Sequence, residues 1–413
     1  MPQTRINSSR LNHSLEKLGS IGETPEGMQR IAFSPADIQG REYTISLMRQ
    51  AGMETRIDTA GNIIGRRAGS VPGLPAIAMG SHTDTVPNGG KYDGALGVMG
   101  AVECVQTLAD NNLTLRHPVE ALVFTNEEGT RFHRWLIGSR AMAGLLEPED
   151  QNPADDEGVT LSTRMADIGG DWPRAAEALR TPDELAAYFE LHIEQGPILH
   201  QSGTPIGVVT GITGRAVFEV EIIGVANHAG TTPMPQRHDA LVSASKLVLA
   251  VNKLAADLET CRVATVGTIE AHPNAVNVVP GSVRIGLEFR DLNMDALSAT
   301  EGELRRSIAQ ISQEDGVQME IHRHRFTNSV PVENEMQNLV EAASNNAGLA
   351  HMRVPSGAGH DAQAIAGITK MAMLFVPSAD GISHAPQEYS TPEDCANGTQ
   401  VLLELLLLAD QRL

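Results

Sequence analysis

Cysteine is scarce. Cys104, Cys261 and Cys395 are few, scattered and odd in number, which excludes a disulfide framework and a cysteine-rich zinc site and points to a reducing, cytoplasmic compartment. Basic residues are also in deficit: 31 Lys and Arg against 51 Asp and Glu give a formal charge of -20, which repels phosphate backbones and anionic lipid surfaces and leaves nucleic acid and membranes as poor partners. No apolar run is long enough to span a bilayer, because the most apolar stretch, 401–409, is short and interrupted by Glu404, and reads as a packed terminal helix. Residues 1–19 lack the continuous apolar core of a secretory signal and alternate polar and apolar residues at helical spacing, so a first helix is expected there. No solenoid repeat is visible.

What is present is a folded chain of at least two domains, with 413 residues, 41% hydrophobic and 20% charged. The stretch GSHTDTVPNGGKYDGALG at 80–97 organises it: an apolar run at 74–79 reads as a buried strand, and a helical pattern begins at Ala95. Between them His82, Asp84 and Asp93 sit among glycines that let a backbone turn tightly. Another buried strand at 119–124 ends on Thr125-Asn126-Glu127-Glu128, so two polar loops lie at strand ends, where ligand sites of α/β sheets gather. Ser34-Pro35 opens a helix over 34–52. Residues 146–184 have little periodicity and read as surface. From 212 to 331 the order is β-α-β-β-α-β, the signature of a ferredoxin-like unit inserted as a second domain. The fold class is therefore α/β in two domains: 1–211 and 332–413 form a mixed-sheet domain, and 212–331 interrupt it.

His82, Asp93, Glu128, His192 and His384 each stand at or near the end of an apolar segment, and together they exceed one tetrahedral site. With Asp93 as a bridge, one ion takes His82 and His192 and another takes Glu128 and His384, each keeping room for water as a catalytic ion requires. The mixed imidazole and carboxylate set suits Zn²⁺, Mn²⁺, Co²⁺ or Ni²⁺ without choosing among them. Asp84, two residues after His82, is placed to accept that imidazole's other N–H. Glu127 adjoins Glu128, and neighbours on extended chain face opposite ways, which makes Glu127 the natural general base for a water held at the ions. In the inserted domain His228, Asn277 and Arg290 read either as turn and surface residues or as a polar counterface for an oxyanion and a carboxylate.

The motifs GSHTDTV, KYDGALGV, TNEEGTRF, GSRAMAG, LHIEQGP, HAGTTPM, NVVPG, SGAGHDA and GISHAP, in this order along nearly the whole chain, resemble the N-carbamoyl-L-amino-acid hydrolase and allantoate amidohydrolase family. That family is the amidohydrolase branch of the dinuclear metallopeptidases related to aminoacylase and carboxypeptidase G. The resemblance implies a catalytic domain, a lid domain that carries the dimer contact, and the two-metal site named above with Glu127 as base. It also implies that His228, Asn277 and Arg290 face substrate, with His228 reaching the partner's site, and that Gln195 and His360 line the pocket. Allantoate-specific relatives carry an extra arginine soon after the hinge into the lid; here Arg215 in GITGRAVFEV is displaced from that position, while HAGTTPM, NVVPG and SGAGHDAQ are close to the allantoate type. The expected reaction is cleavage of the carbamoyl C–N bond of N-carbamoyl-L-amino acids, with allantoate as the alternative substrate. Dipeptidase or aminoacylase activity and a non-catalytic binding protein are the weaker readings.

Overall fold

The computed structural model describes residues 4–413, so that residues 1–3 of the expected first helix lie outside the described residues. The helix itself runs Ser8–Gly19, with Asn7 accepting from the Arg10 amide as its cap. The chain divides into two compact units, 1–210 with 332–413 and 211–331.

The first unit is built on a mixed sheet. Four parallel strands form its centre, in the order Met371–Val376, Leu185–Ile193, Ala76–His82, Val119–Phe124, and Ile63–Arg67 and Glu54–Ile57 extend it antiparallel beyond the last. Ile206–Ile212 pairs antiparallel on the other flank. Ala76–His82, Val119–Phe124 and Met371–Val376 are buried at every position, as expected of parallel strands covered on both faces. The helix Ala95–Asp110 is apolar nearly all round because it lies between the sheet and two other helices, Ser8–Gly19 and Pro392–Arg412. Small residues permit that approach. Ser34 accepts from the Asp37 amide to open the helix Pro35–Gln50, and Thr391 does the same for Pro392–Arg412.

Residues 146–184 are not merely surface. Leu161, Met165, Ile168, Trp172, Ala175 and Ala178 bury against Phe33, Phe132 and Ile137 in a core of their own. Its helices are too short to show periodicity, which is why the stretch reads as irregular in sequence. His351–Ser356 is a further strand, pairing with Ile206–Ile212; Pro355 within it breaks the strand signal in the sequence.

The second unit is a four-stranded antiparallel sheet in the order Val263–His272, Ser282–Asp291, Gly214–Ile223, Gln318–Thr327, with the helices Ala240–Ala256 and Met294–Asp315. Ala216, Phe218, Val220 and Ile222 point to the helix-covered core, and the residues between them face the other way. Each fully buried Val, Ile or Phe contributes roughly 1.5–3 kcal/mol. No helix among the described residues is long and apolar enough to cross a membrane.

Candidate active site

The parallel centre of the sheet delivers the polar residues to one edge. His82 is the last residue of Ala76–His82, His192 the penultimate residue of Leu185–Ile193, Glu127 and Glu128 follow Val119–Phe124, and the His384 loop follows Met371–Val376. Because these four strands are parallel, their carboxyl ends coincide, and side chains as far apart in the chain as His82 and His384 converge there.

Asp93 is the centre of the constellation. Its Oδ1 lies 3.4 Å from His82 Nε2 and 3.2 Å from His192 Nε2, while its Oδ2 lies 3.4 Å from His384 Nε2. His384 Nε2 is in turn 3.6 Å from Glu128 Oε1. Donor atoms of Asp93, His82 and His192 all lie within 4.8 Å of one another, as do those of Asp93, Glu128 and His384. One carboxylate thus serves two trios through different oxygens.

The histidines are fixed in tautomer by their backbone contacts. His82 Nδ1 donates to the Asp84 carbonyl at 3.0 Å, and His192 Nδ1 to the Ile193 carbonyl at 2.9 Å; since a carbonyl can only accept, each Nε2 carries the lone pair, which on His82 faces Asp93 and on His192 accepts from the Gly94 amide at 3.1 Å. Asp84 therefore orients His82 by its backbone, not by the carboxylate that the sequence suggests, whose Oδ1 is 3.8 Å away. That carboxylate instead accepts from the Glu127 and Glu128 amides, each at 3.2 Å. The two glutamates sit in a bend after Asn126, which has φ 51°, rather than on extended chain. They diverge all the same: Glu127 Oε2 is 3.6 Å from His82 Nε2, whereas Glu128 faces His384.

Gln195, with φ 57°, donates from Nε2 to Asp93 Oδ2 at 2.7 Å, so it touches the constellation directly. His360 packs edge-on against His192 with ring centroids 4.5 Å apart and bonds Ser356 Oγ through Nε2. His228, Asn277, Arg215 and Arg290 belong to the second unit. His228 is exposed, its Nδ1 accepting from the Gly230 amide at 3.0 Å, and the Asn277 carbonyl accepts from the Ala229 amide. Arg215 and Arg290 stand directly opposite on paired strands, and both bond Glu288. His133 and His200 lie elsewhere, against Asp156 and Asp380.

Burial raises the Glu127 carboxyl well above the ordinary range, His82 opposing and Glu128 adding to the shift. Glu128 is pushed up to about 8, by burial first and then by Asp93. For Asp93 burial acts in the same sense but is outweighed by His192, His384 and His82, which hold it well below the usual carboxylate value. Among the described residues these carboxylates have only imidazoles as ion-pair partners, and Glu128 Oε1 is buried without a hydrogen bond. Buried acids, one with an orphaned oxygen, and imidazole Nε2 atoms turned toward them are a donor set that divalent cations fit.

Residues 78–408 match the profile of peptidase family M20/M25/M40. The chain belongs to that family. This M20 hydrolase is 39% identical over 398 residues to an N-carbamoyl-L-amino acid amidohydrolase of Geobacillus stearothermophilus, with 96% of this chain and 97% of that one covered. It is 36% identical over 410 residues to a ureidoglycolate hydrolase of Oryza sativa subsp. japonica, covering 96% and 84%. Among solved structures it is similar to a hydantoinase/carbamoylase family amidase from Burkholderia ambifaria, with TM-score 0.90, 35% identity and 98% of each chain covered. The M20 chain is accordingly an enzyme of the hydantoinase/carbamoylase amidase branch, a hydrolase of carbon–nitrogen bonds.

One further participant, Glu388, carries no distinguishing mark in the sequence. Glu388 accepts from backbone and hydroxyl donors of both the Asp93 and the His384 loops. The available signal was a glutamate four residues beyond a proposed histidine ligand, which alone is too common to single out.

Proposed function

We propose that this enzyme hydrolyses the carbamoyl C–N bond of N-carbamoyl-L-amino acids, with two divalent cations per subunit. The observation that carries the reading is the division of Asp93 between two trios, Oδ1 toward His82 and His192 and Oδ2 toward His384, with Glu128 completing the second. His82, Asp93 and His192 would hold one cation and Asp93, Glu128 and His384 the other, with Zn²⁺, Mn²⁺, Co²⁺ and Ni²⁺ all suited to the set. When bound, the cations supply Lewis-acid polarisation of the ureido carbonyl and a lowered water pKa.

The chain's own residues do the rest. Glu127 takes a proton from the attacking water and passes it to the departing nitrogen, a role for which a raised carboxyl pKa suits it. Asp84 holds the backbone from which both glutamates project. Arg290 receives the substrate carboxylate through its planar fork, Asn277 its polar groups, and His228 the oxyanion, from the second unit acting as a lid. Gln195 and His360 line the pocket.

A homodimer through the lid unit is part of the reading, with His228 reaching the partner's site. Val263–His272 is an edge strand of its sheet; Ile269 within it and Leu249 on the helix Ala240–Ala256 are 53% and 71% exposed, and such an edge with apolar neighbours favours pairing with a second copy. Light scattering on the purified protein reads the mass directly. Three buried free cysteines support a cytoplasmic location.

Allantoate is the second reading, favoured by HAGTTPM, NVVPG and SGAGHDAQ; Arg215, displaced from the position of the allantoate-type arginine, stands opposite Arg290 on the paired strand. The deciding experiment is ammonia release from Mn²⁺- or Zn²⁺-loaded protein with N-carbamoyl-L-amino acids, allantoate and ureidoglycolate side by side. Preference for a carbamoyl amino acid upholds the proposal; preference for either of the others overturns its substrate, and silence on all three overturns the reaction.

A further inference from the structure

We infer that Glu388 is a positioning residue that clasps the Asp93 loop to the His384 loop and thereby sets the geometry of the Asp93–Glu128–His384 cation position. The inference rests on the dinuclear reading above.

Glu388 is 4% exposed and meets two loops from opposite ends of the sequence. Its Oε1 accepts from the Tyr92 amide at 3.0 Å and from the Asp93 amide at 3.1 Å. Its Oε2 accepts from Ser383 Oγ at 2.8 Å and from the His384 amide at 3.4 Å. One carboxylate therefore holds the backbone of two residues whose side chains, Asp93 and His384, must face each other. Ser383 Oγ also stands 3.3 Å from Asp93 Oδ2, but a hydroxyl has one proton, and the shorter contact takes it.

The space around the clasp is built for it. A Cβ on Gly90 would lie 2.3 Å from Glu388 Cβ, Cδ and Oε1, so only glycine lets that loop pass so close. Each oxygen accepts two hydrogen bonds, which commits its lone pairs and leaves none aimed at the cations. Glu388 is for that reason not a ligand; it acts through Asp93 and His384. The other trio does not depend on it in the same way, because His82 and His192 are held by the Asp84 and Ile193 carbonyls. Loss of the clasp should thus be felt most at the Asp93–Glu128–His384 position, where two members are held by it, and less at the other, which shares only Asp93.

The test is calorimetric titration of Mn²⁺ into the full chain after chelation, for the natural protein, Glu388→Gln and Ser383→Ala. Gln retains one accepting oxygen and presents an NH₂ to donors of the second loop, so one side of the clasp opens. Two sites are expected in the natural protein. In Glu388→Gln one site should weaken about 10–100-fold, the usual cost of losing a partner that orients ligands, while the other, which shares only Asp93 with it, weakens by a clearly smaller factor. Ser383→Ala, which removes a single donor, should weaken the same site by a smaller factor and guards against a Glu388 variant that does not fold. Excess Mn²⁺ should restore turnover of Glu388→Gln, which repair of a general structural defect would not do. Two sites of unchanged affinity in both variants, or equal weakening of both sites, would overturn the inference alone. A natural protein that binds fewer than two ions would overturn the dinuclear reading, and the inference with it.

Discussion

Asp84→Asn separates two accounts of how the constellation is held. The Asp84 carboxylate accepts from the Glu127 and Glu128 amides at 3.2 Å each, the first contact buried and the second partly so. Asn keeps one accepting oxygen but turns an NH₂ toward the other amide, so one hydrogen bond to a charged acceptor is lost, about 1.5–3 kcal/mol. At about 1.4 kcal/mol per tenfold, that corresponds to roughly 10–150-fold in kcat or in affinity at the position containing Glu128. His82 should be spared, because its Nδ1 bonds the Asp84 carbonyl, which Asn also possesses. The assay is Mn²⁺ titration together with ammonia release on the same preparations. Weakening confined to the Glu128 position, with turnover reduced, is the expected result. Weakening at the His82 position instead would show that the carboxylate orients the imidazole after all, and activity within twofold of the natural protein would refute the argument.

Glu127→Gln should lower kcat by about 10²–10⁴-fold while both cations remain bound, as measured by metal analysis beside turnover; unchanged turnover would remove Glu127 as base. Arg290→Ala, which deletes one carboxylate fork, should raise KM about 10–100-fold for carboxylated substrates with little change in kcat, and initial-rate kinetics would read it. Acid stability should depend on Asp155, which accepts from Arg131, Arg164 and the Val159 and Glu157 amides. Burial alone would raise its pKa, but these partners outweigh it and bring it down to about 2. Its folded value lies below the unfolded ~3.9, so the stabilisation is complete above about pH 4 and is lost as the pH falls through 2. Asp155→Asn should unfold more easily than the natural protein at pH 7 in urea, with the difference shrinking as the pH falls through that window.

Much of the architecture could be read from the chain because its signals are local. The buried strand before His82, the helix from Ala95 and the alternation of Ala216, Phe218, Val220 and Ile222 each need only neighbours in sequence. The candidate ligands were legible for the same reason, each being a polar residue at the end of an apolar run. What the sequence hid depends on contacts between distant segments. The core of Leu161, Met165 and Trp172 forms only against Phe33 and Phe132, and the division of labour in Asp84 between carbonyl and carboxylate is a matter of ångströms. Glu388 is legible only once two loops lie side by side.

The same geometry explains why glycine stands at position 94, between Asp93, the proposed bridging ligand, and the helix. Gly94 has φ 62°, and a Cβ there would lie 2.4 Å from His82 Nε2 and 2.5 Å from Cδ2 and Cε1. The backbone strain of a non-glycine residue is about 1–3 kcal/mol. The steric consequence is larger, since the methyl would cover the lone pair that the His82 tautomer leaves open, and either the ring swings away or the cation has no seat. Gly94→Ala should therefore lose the His82 position altogether, at least about 100-fold in Mn²⁺ affinity, a loss greater than any removal of a supporting contact is expected to cause. Gly52→Ala is the matched control: φ is 78° there, yet nothing lies within 4 Å of the added methyl. It carries the backbone strain without the collision, so it should melt somewhat earlier and bind both cations normally. If Gly94→Ala also bound both ions within threefold of the natural protein, Nε2 of His82 could not be the ligand atom, and the assignment of that trio would fall.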